Sequence, residues 1–482
     1  MNTVLSSEIL ELLLDSWERE EQGVHSNSEI LDWYRSRQAQ IFVDIQPSSI
    51  EASSFWFYDR GRDCVRNAKD AFFSIAGLKG RRADGERFEQ PILLQNEIGF
   101  LGFLCARIQG VLHFLVQAKI EPGNLNNVQL SPTIQATRSN FTQLHGGKQP
   151  AYLDYFVRAG EQRILVDQIQ SEQSSRFLGK RNRNIVVLLE ERAAPEEGKN
   201  FRWLTLGQIK RLMRRDNMVN MDTRTVLSCL PYTWLGPAFE PSMGPSDADP
   251  GLLQSLFLSP VDSARLALAF HAYNNMKMFD GEKPELCGLS KLAHWSWREN
   301  CFVSDTEADF KVIFCRITIE GREVRSWDQP LFAAAGPALF ALACRTDSER
   351  GYEFLVRTKR EVGCFDVVEF GPTVQLEYRE RGKPVGAWDE LILRKIQAGE
   401  DLICQTRLSE EGGRFYHEEN DNIIVRVSDA ERAGMPAEKD GYFWLTLHEL
   451  VALNMVNNVL NIQLRNLISL LELRMKGGGE KL

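Results

Sequence analysis

Apolar residues first recur at helical spacing. Ile9, Leu12 and Leu13, then Ile30, Leu31, Trp33 and Tyr34, predict helices ahead of any strand-like run. From Leu112 to Glu121 the period drops to two. Leu112, Phe114, Val116, Ala118 and Ile120 share one face; His113, Gln117, Lys119 and Glu121 share the other, with Leu115 the apolar exception. Pro122-Gly123 ends this strand in a turn. The run from Val128 to Thr137 alternates again, with Gln129, Ser131, Thr133, Gln135 and Thr137 on one side. Helices near Leu206–Met213 and Thr223–Leu230 follow. Strands followed by helices, without regular alternation, predict an α+β fold with a mixed or mostly antiparallel sheet and flanking helices.

The pattern occurs twice. His113 to Lys119 aligns with Glu353 to Lys359, and Pro132-Thr-Ile-Gln135 with Pro372-Thr-Val-Gln375, both at an offset of 240. Gln90-Pro91 matches Gln329-Pro330, Trp203 to Leu206 matches Trp444 to Leu447, and Asn217 to Asn220 is set against Asn454 to Asn457. Matches in one order at nearly one offset mean duplicated domains rather than a short-period solenoid. Gly236-Pro237, Pro241, Gly244-Pro245 and Pro250-Gly251 break any regular element between the copies. The expected modules are residues 1–235 and 252–482, the second closing on one helix over Leu447–Leu473.

Composition narrows the function classes. With 57 Lys and Arg against 66 Asp and Glu, the formal net charge is −9, which disfavours a nucleic-acid footprint. The most apolar run, Leu331–Cys344, is too short for a membrane span and is broken by Gly336-Pro337. Nine scattered cysteines without a CxxC pair, and seven histidines without HxxxH or HExxH spacing, disfavour a disulfide framework and a zinc site. No signal peptide is evident at the N-terminus, so the cytoplasm is the default.

The polar strand faces are rich in Gln, Ser and Thr. A solvated sheet face fits them, and so does the wall of a pocket for a polyhydroxylated ligand, which needs neutral donors and acceptors. Lys180-Arg-Asn-Arg183 is either a solvated basic turn or an anion site, since guanidinium groups match phosphate oxygens. The copies diverge here. Lys180, Arg181 and Arg183 become Glu418, Glu419 and Asp421, and His113 becomes Glu353, whereas Lys119 and Glu121 recur as Lys359 and Glu361. The charge reversal places any working anion site in the first module and leaves the second structural or altered.

Longer runs add a resemblance. Gln117 to Asn124, Gln129 to Asn140, Gln170-Ser-Glu-Gln173, Lys180 to Asn184, Phe201 to Leu206 and Asn217 to Leu230 resemble the NDP-hexose 2,3-dehydratases of deoxysugar biosynthesis. So do Arg322 to Pro330, Gly371 to Gln375 and Arg414-Phe-Tyr-His417 in the second module. The resemblance implies two tandem Nudix-like modules and a homodimer. It implies a soluble lyase that needs no cofactor and serves natural-product biosynthesis. Its substrate would be a dTDP-4-keto-6-deoxyhexose, and its product, a 3,4-diketo-2,6-dideoxyhexose nucleotide, would pass to a 3-ketoreductase. No Nudix box is present, so metal-dependent pyrophosphate cleavage is not expected; the nearest sequence, Arg19-Glu20-Glu21, lacks the spacing. A non-catalytic nucleotide-sugar binder, or another nucleotide-sugar isomerase or hydrolase, is the alternative.

That chemistry needs a base, an enolate stabiliser and an acid. The catalytic candidates are Glu121 or His113 for proton transfer and Lys119 for the enolate. Gln117, Asn124, Gln129, Ser131, Thr133, Gln135 and Thr137 are candidates for the sugar wall, with Ser139, Asn140 and Asn182 from the resembling runs. Arg138, Arg181 and Arg183 are candidates for the diphosphate. Trp56 or Tyr155, with Tyr152, is a candidate for stacking on the base.

Overall fold

The computed structural model describes residues 3–81, 85–142, 149–279, 283–320, 325–383 and 386–474. Each half is built on a seven-stranded mixed sheet. In the first half the order is Arg163–Ser171, Arg181–Leu189, Gly99–Ile108, Val111–Ile120, Phe201–Leu204. Val128–Ser131 adds to Val111–Ile120, and Ile134–Ala136 adds to Gly99–Ile108. In the second half the order is Leu402–Ser409, Glu419–Arg426, Ala338–Asp347, Gly351–Arg360, Tyr442–Thr446, with Val368–Pro372 and Val374–Leu376 in the matching places. One pair in each sheet is parallel: Asn182 faces Gly99, and Asn420 faces Ala338. The fold is therefore α+β and duplicated, as the repeats predict.

Strand Val111–Ile120 shows why strict alternation fails at Leu115. Residues 112–116 are all buried. Leu112, Phe114 and Val116 face the core that contains Ile9, Leu13 and Trp17 of the first helix, and Leu115 faces a second core with Phe156 and Trp203. A central strand covered on both sides buries both of its faces. Each fully buried Leu, Val or Phe there contributes about 1.5–3 kcal/mol.

Three readings from the pattern are corrected. The run 128–137 is two strands on different partners, because Thr133 breaks the alternation; its hydroxyl donates to the Leu115 carbonyl and accepts from the Leu104 amide, 2.5 and 3.0 Å. The last helix of the second module is two, Leu447–Asn454 and Ile462–Ser469. Between them Asn458 takes a left-handed conformation, φ 57°, as Asn217 does at φ 56°. Asn217 therefore corresponds to Asn458 rather than Asn454, a shift confirmed by the matching bridges Leu130–Val219 and Phe370–Leu460. Of the stretch Arg322 to Pro330, residues 322–324 lie outside the described residues.

The halves exchange strands. Val43–Ser48, from the first half, pairs antiparallel with Phe310–Ile319 of the second. Glu285–Cys287, from the second half, pairs with Ser74–Arg81 of the first. These two smaller sheets share one aromatic core, with Trp56 and Phe73 on one side and Trp295, Phe302, Phe310 and Phe332 on the other. The main core is also continuous across the halves, running from Leu10 and Phe103 to Phe340 and Leu464. Among the described residues no helix is long and apolar enough to cross a membrane. The nine cysteines are free thiols.

A reciprocal backbone clasp locks the halves. The Gly123 amide donates to the Gly412 carbonyl (2.7 Å), and the His417 amide donates to the Gly123 carbonyl (2.9 Å). Its mirror joins Gly363 to Ser174 (2.8 Å) and Gly179 to Gly363 (2.7 Å). Both glycines are required by close approach. A Cβ on Gly123 would lie 1.6 Å from the Phe415 carbonyl oxygen, and one on Gly363 1.9 Å from that of Phe177. Gly123→Ala is expected to cost about 3 kcal/mol or more, read as a lower urea midpoint. Gly160→Ala, whose added Cβ meets nothing within 4 Å, should stay within about 0.5 kcal/mol of the parent.

Candidate active site

The clasp carries the turn 410–418 of the second half over the end of the first half's sheet, where Glu121 leaves its strand. A chain of amides sets that end. The Asn220 side chain caps helix Met221–Ser228 and donates through Nδ2 to Gln135 Oε1, 3.0 Å. Gln135 Nε2 donates to Glu121 Oε1, 2.9 Å, and Lys119 Nζ donates to the Gln135 carbonyl, 3.0 Å. Beside it, Asn182 Nδ2 donates to Glu172 Oε1, 2.6 Å, and Lys180 Nζ to the Glu97 carbonyl, 2.6 Å. The second half adds Glu411 and Arg414, paired at 3.1 Å.

The result is a buried cluster of three cations and four carboxyl groups: Lys119, Lys180 and Arg414 with Glu121, Glu172, Asp222 and Glu411. Asp222 is 2% exposed. Burial and the nearby carboxylates Glu172, Glu121 and Glu411 hold its carboxyl well above the usual range. Its place in the first turn of a helix opposes this, but a helix terminus contributes at most about 2 kcal/mol. Burial pushes Glu411 up to about 7 against the pull of Arg414, and burial with Arg414 draws Lys180 down to about 8.

Several polar atoms in the cluster have no protein partner although buried: Glu121 Oε2, Asp222 Oδ2, Gln129 Oε1 and both amide atoms of Asn124. An unpaired buried polar group costs about 1–3 kcal/mol, so these atoms are open to a polar ligand or to water.

Of the other expected residues, Gln129 sits opposite Lys119 on the neighbouring strand, at the cluster's edge, and the rest fall elsewhere. His113 is a clamp: Nε2 accepts from the Val24 amide (3.0 Å) and Nδ1 donates to the Val111 carbonyl (2.9 Å). Both nitrogens are used, and burial lowers its pKa. Thr133 ties strands together, as above. Ser131 donates to the Pro132 carbonyl (3.1 Å) and to half-buried Gln117 (3.4 Å), and Gln129 Nε2 donates to Ser409 Oγ of the second half (2.7 Å). Arg183 is held bidentate by Asp167 at 2.6 and 2.5 Å, and Arg181 stacks on the Phe365 ring at 3.6 Å. Neither guanidinium joins the cluster. Trp56 packs on Phe73, ring centroids 4.7 Å apart, inside the shared aromatic core. Tyr155 packs against the core around Phe156. Thr137 is half-buried and Arg138 exposed; the side chains of Ser139 and Asn140 lie outside the described residues.

Glu172, Asp222, Glu411 and Arg414 were not singled out from the sequence as site residues. One signal marks three of them: Ser171-Glu172 and Arg176-Phe177 recur as Ser409-Glu410 and Arg414-Phe415, with Glu411 inside the second copy. Asp222 lies inside the resembling run Asn217 to Leu230 but does not recur, since Gln463 stands in its place.

The second half repeats the backbone with different charges. Gln375 Nε2 donates to Glu361 Oε1 and Asn461 Nδ2 to Gln375 Oε1, both 2.9 Å, mirroring the first cluster. There, however, Gln463 stands for Asp222, Glu418 for Lys180 and Glu369 for Gln129. Lys359 and Arg176 face Glu361, Glu369, Glu377, Glu410, Glu418 and Asp309. Burial pushes Glu369 and Glu410 to about 8 and Glu418 to about 7.

A carboxyl raised on folding leaves stability intact below its unfolded value near 4.5 and lowers it as pH rises through the folded value. Glu418→Gln should therefore stabilise the protein at pH 8, by about 1–3 kcal/mol, and change little at pH 5. Urea midpoints at the two pH values measure this.

Comparison with known proteins gives one answer. The family model described as NDP-hexose 2,3-dehydratase matches residues 27–230 and again residues 269–471. A dTDP-4-dehydro-6-deoxy-alpha-D-glucopyranose 2,3-dehydratase of Saccharopolyspora spinosa is 35% identical over 453 residues, 93% of this chain and 91% of that protein. Proteins with the same name from Streptomyces violaceoruber and Amycolatopsis orientalis are 35% and 32% identical over 449 and 465 residues, covering 91% and 93% of this chain and 95% and 90% of their own.

Proposed function

The chain belongs to the NDP-hexose 2,3-dehydratase family, and from that membership we propose that it is a hydro-lyase acting on a dTDP-4-keto-6-deoxyhexose, the class of sugar its relatives' names carry. It removes the C2 hydroxyl as water and gives a 3,4-diketo-2,6-dideoxyhexose nucleotide. The C4 ketone acidifies the C3 proton, so the elimination runs through an enolate and changes no oxidation state overall. Glu121 takes the C3 proton, and Lys119 stabilises the negative charge that builds on the C4 oxygen. The observation that carries these roles is the Asn220–Gln135–Glu121 chain, which fixes one carboxylate oxygen, leaves Oε2 unpaired, and holds Lys119 on the same glutamine. His113 is set aside, since both its nitrogens serve the backbone. Lys180 and Arg414 add positive charge that favours an anionic nucleotide sugar.

Three further elements belong to this reading. A 3-ketoreductase consumes the diketone. The mixed sheet of each half supports Nudix-like descent. Leu268 and Phe279, exposed and eleven residues apart on helix Ser263–Phe279, share a helical face that offers apolar surface to a second copy.

The test is incubation of the purified protein with dTDP-4-keto-6-deoxyglucose in EDTA and deuterium oxide, with a 3-ketoreductase and NADPH as trap. Mass spectrometry should show loss of one water and deuterium at C2; unchanged substrate overturns the reading. Glu121→Gln should lower kcat by about 10²-fold or more with dTDP affinity retained. His113→Gln should lower the urea midpoint and leave kcat within about threefold, the scatter of indirect effects.

A further inference from the structure

Elimination needs a third group, an acid that protonates the departing C2 oxygen. No residue has been given that role, and a carboxyl that carries a proton while Glu121 acts as the base can fill it. Of the cluster's buried carboxyls, Glu411 is paired with Arg414 at 3.1 Å and Glu172 accepts from Asn182 at 2.6 Å, whereas Asp222 is held by neither a cation nor an amide in this way. Asp222 lies two residues after Asn220, whose side chain begins the amide chain ending on Glu121. The backbone around it is fixed by the Leu130–Val219 bridge: the Leu130 amide donates to the Met218 carbonyl and the Asn220 amide to the Leu130 carbonyl, both at 2.9 Å. The Thr223 hydroxyl donates to the Leu130 carbonyl as well, 3.2 Å. Asp222 is thus rigidly placed, 2% exposed, with Oδ2 unpaired, among the carboxylates of Glu121, Glu172 and Glu411 and the ammonium of Lys119. The second half keeps the amide chain, the lysine and the glutamate, but has Gln463 in this place.

We infer that Asp222 is the catalytic acid that protonates the leaving C2 hydroxyl, and that Gln463 deprives the second site of this step. The inference rests on the reading of the protein as a 2,3-dehydratase. The step balances. The C3–H electrons first form the C3–C4 enolate; as the C4 ketone reforms, they become the C2–C3 double bond and the C2–O bond breaks. The C3 proton goes to Glu121, and the Asp222 proton leaves with the hydroxyl as water. The enol hydroxyl at C3 then returns a proton to Asp222 while Glu121, its proton exchanged with solvent, delivers one to C2. Both carboxyls end as they began, and the sugar has lost one water.

A substrate with fluorine at C2 separates this role from a structural one, because fluoride departs as an anion without a full proton transfer. Wild-type enzyme should release water from the hydroxyl substrate and fluoride from dTDP-2-deoxy-2-fluoro-4-keto-6-deoxyglucose, giving the same diketone. Asp222→Asn should lose about 10²-fold or more in kcat on the hydroxyl substrate and keep fluoride release within about tenfold. Glu121→Gln should lose both. Equal loss on both substrates by a folded Asp222→Asn, or loss on neither, overturns the inference. Release of neither water nor fluoride by the wild type overturns the dehydratase reading instead. If Asp222→Asn shows no cooperative melting, Asp222→Gln carries the same comparison, since the second half folds around glutamine at this position.

Discussion

The site depends on two backbone hydrogen bonds at a glycine. Gly123 donates to Gly412 and accepts from His417, and at that distance no side chain fits on either glycine: a Cβ on Gly412 would lie 2.2 Å from Asn124 Oδ1. The contact brings the turn with Glu411 and Arg414 over Lys119, Glu121 and Lys180. Without it, the first half's cluster would lack one of its three cations. Its mirror at Gly363 brings Arg176 to Glu377, 3.0 Å, in the second half. Each half thus lends an arginine to the other.

The same exchange explains why the halves form one body. Strands Val43–Ser48 and Glu285–Cys287 leave their own halves to pair with the other. Arg224 bonds the Ser409 carbonyl at 2.8 Å, and its counterpart Arg465 bonds the Ser171 carbonyl. These arginines are fully buried, where a lost partner leaves an uncompensated charge. Duplication supplied two copies of the backbone, and exchange of segments made each copy incomplete alone.

On that shared backbone, a few substitutions set the electrostatics. Lys180 against Glu418, Asp222 against Gln463 and Gln129 against Glu369 turn a nearly balanced cluster into a strongly acidic one. Burial amplifies each change, because a charge held away from water is stabilised only by the partners packed against it. The second cluster responds by holding protons on Glu369, Glu410 and Glu418. An anionic sugar nucleotide is better matched by the first.

Local pattern determined much of this protein. Alternation over Leu112–Ile120, the turn at Pro122-Gly123 and the helices near Leu206–Met213 and Thr223–Leu230 were legible, because they depend on side-chain period and backbone preference within a few residues, and the duplication was legible from recurring runs. Lys119, Glu121, Gln129 and Gln135 were legible as site candidates for the same reason, and Asn124 and Asn182 through the resembling runs. Tertiary structure decided the rest. Arg183 and Arg181 read as anion ligands until Asp167 and Phe365 took them up. Trp56 read as a stacking platform until the aromatic core enclosed it, and His113 as a base until Val24 arrived on its free nitrogen. Asp222 and Arg414 acquire their character from burial and from the charges the fold gathers around them, Glu172, Glu121 and Glu411 at Asp222 and Glu411, Glu172 and Glu121 at Arg414, most of them distant in the chain. Periodicity is a local property and can be read along one strand, whereas the field at a buried carboxyl sums over every charge the fold places around it.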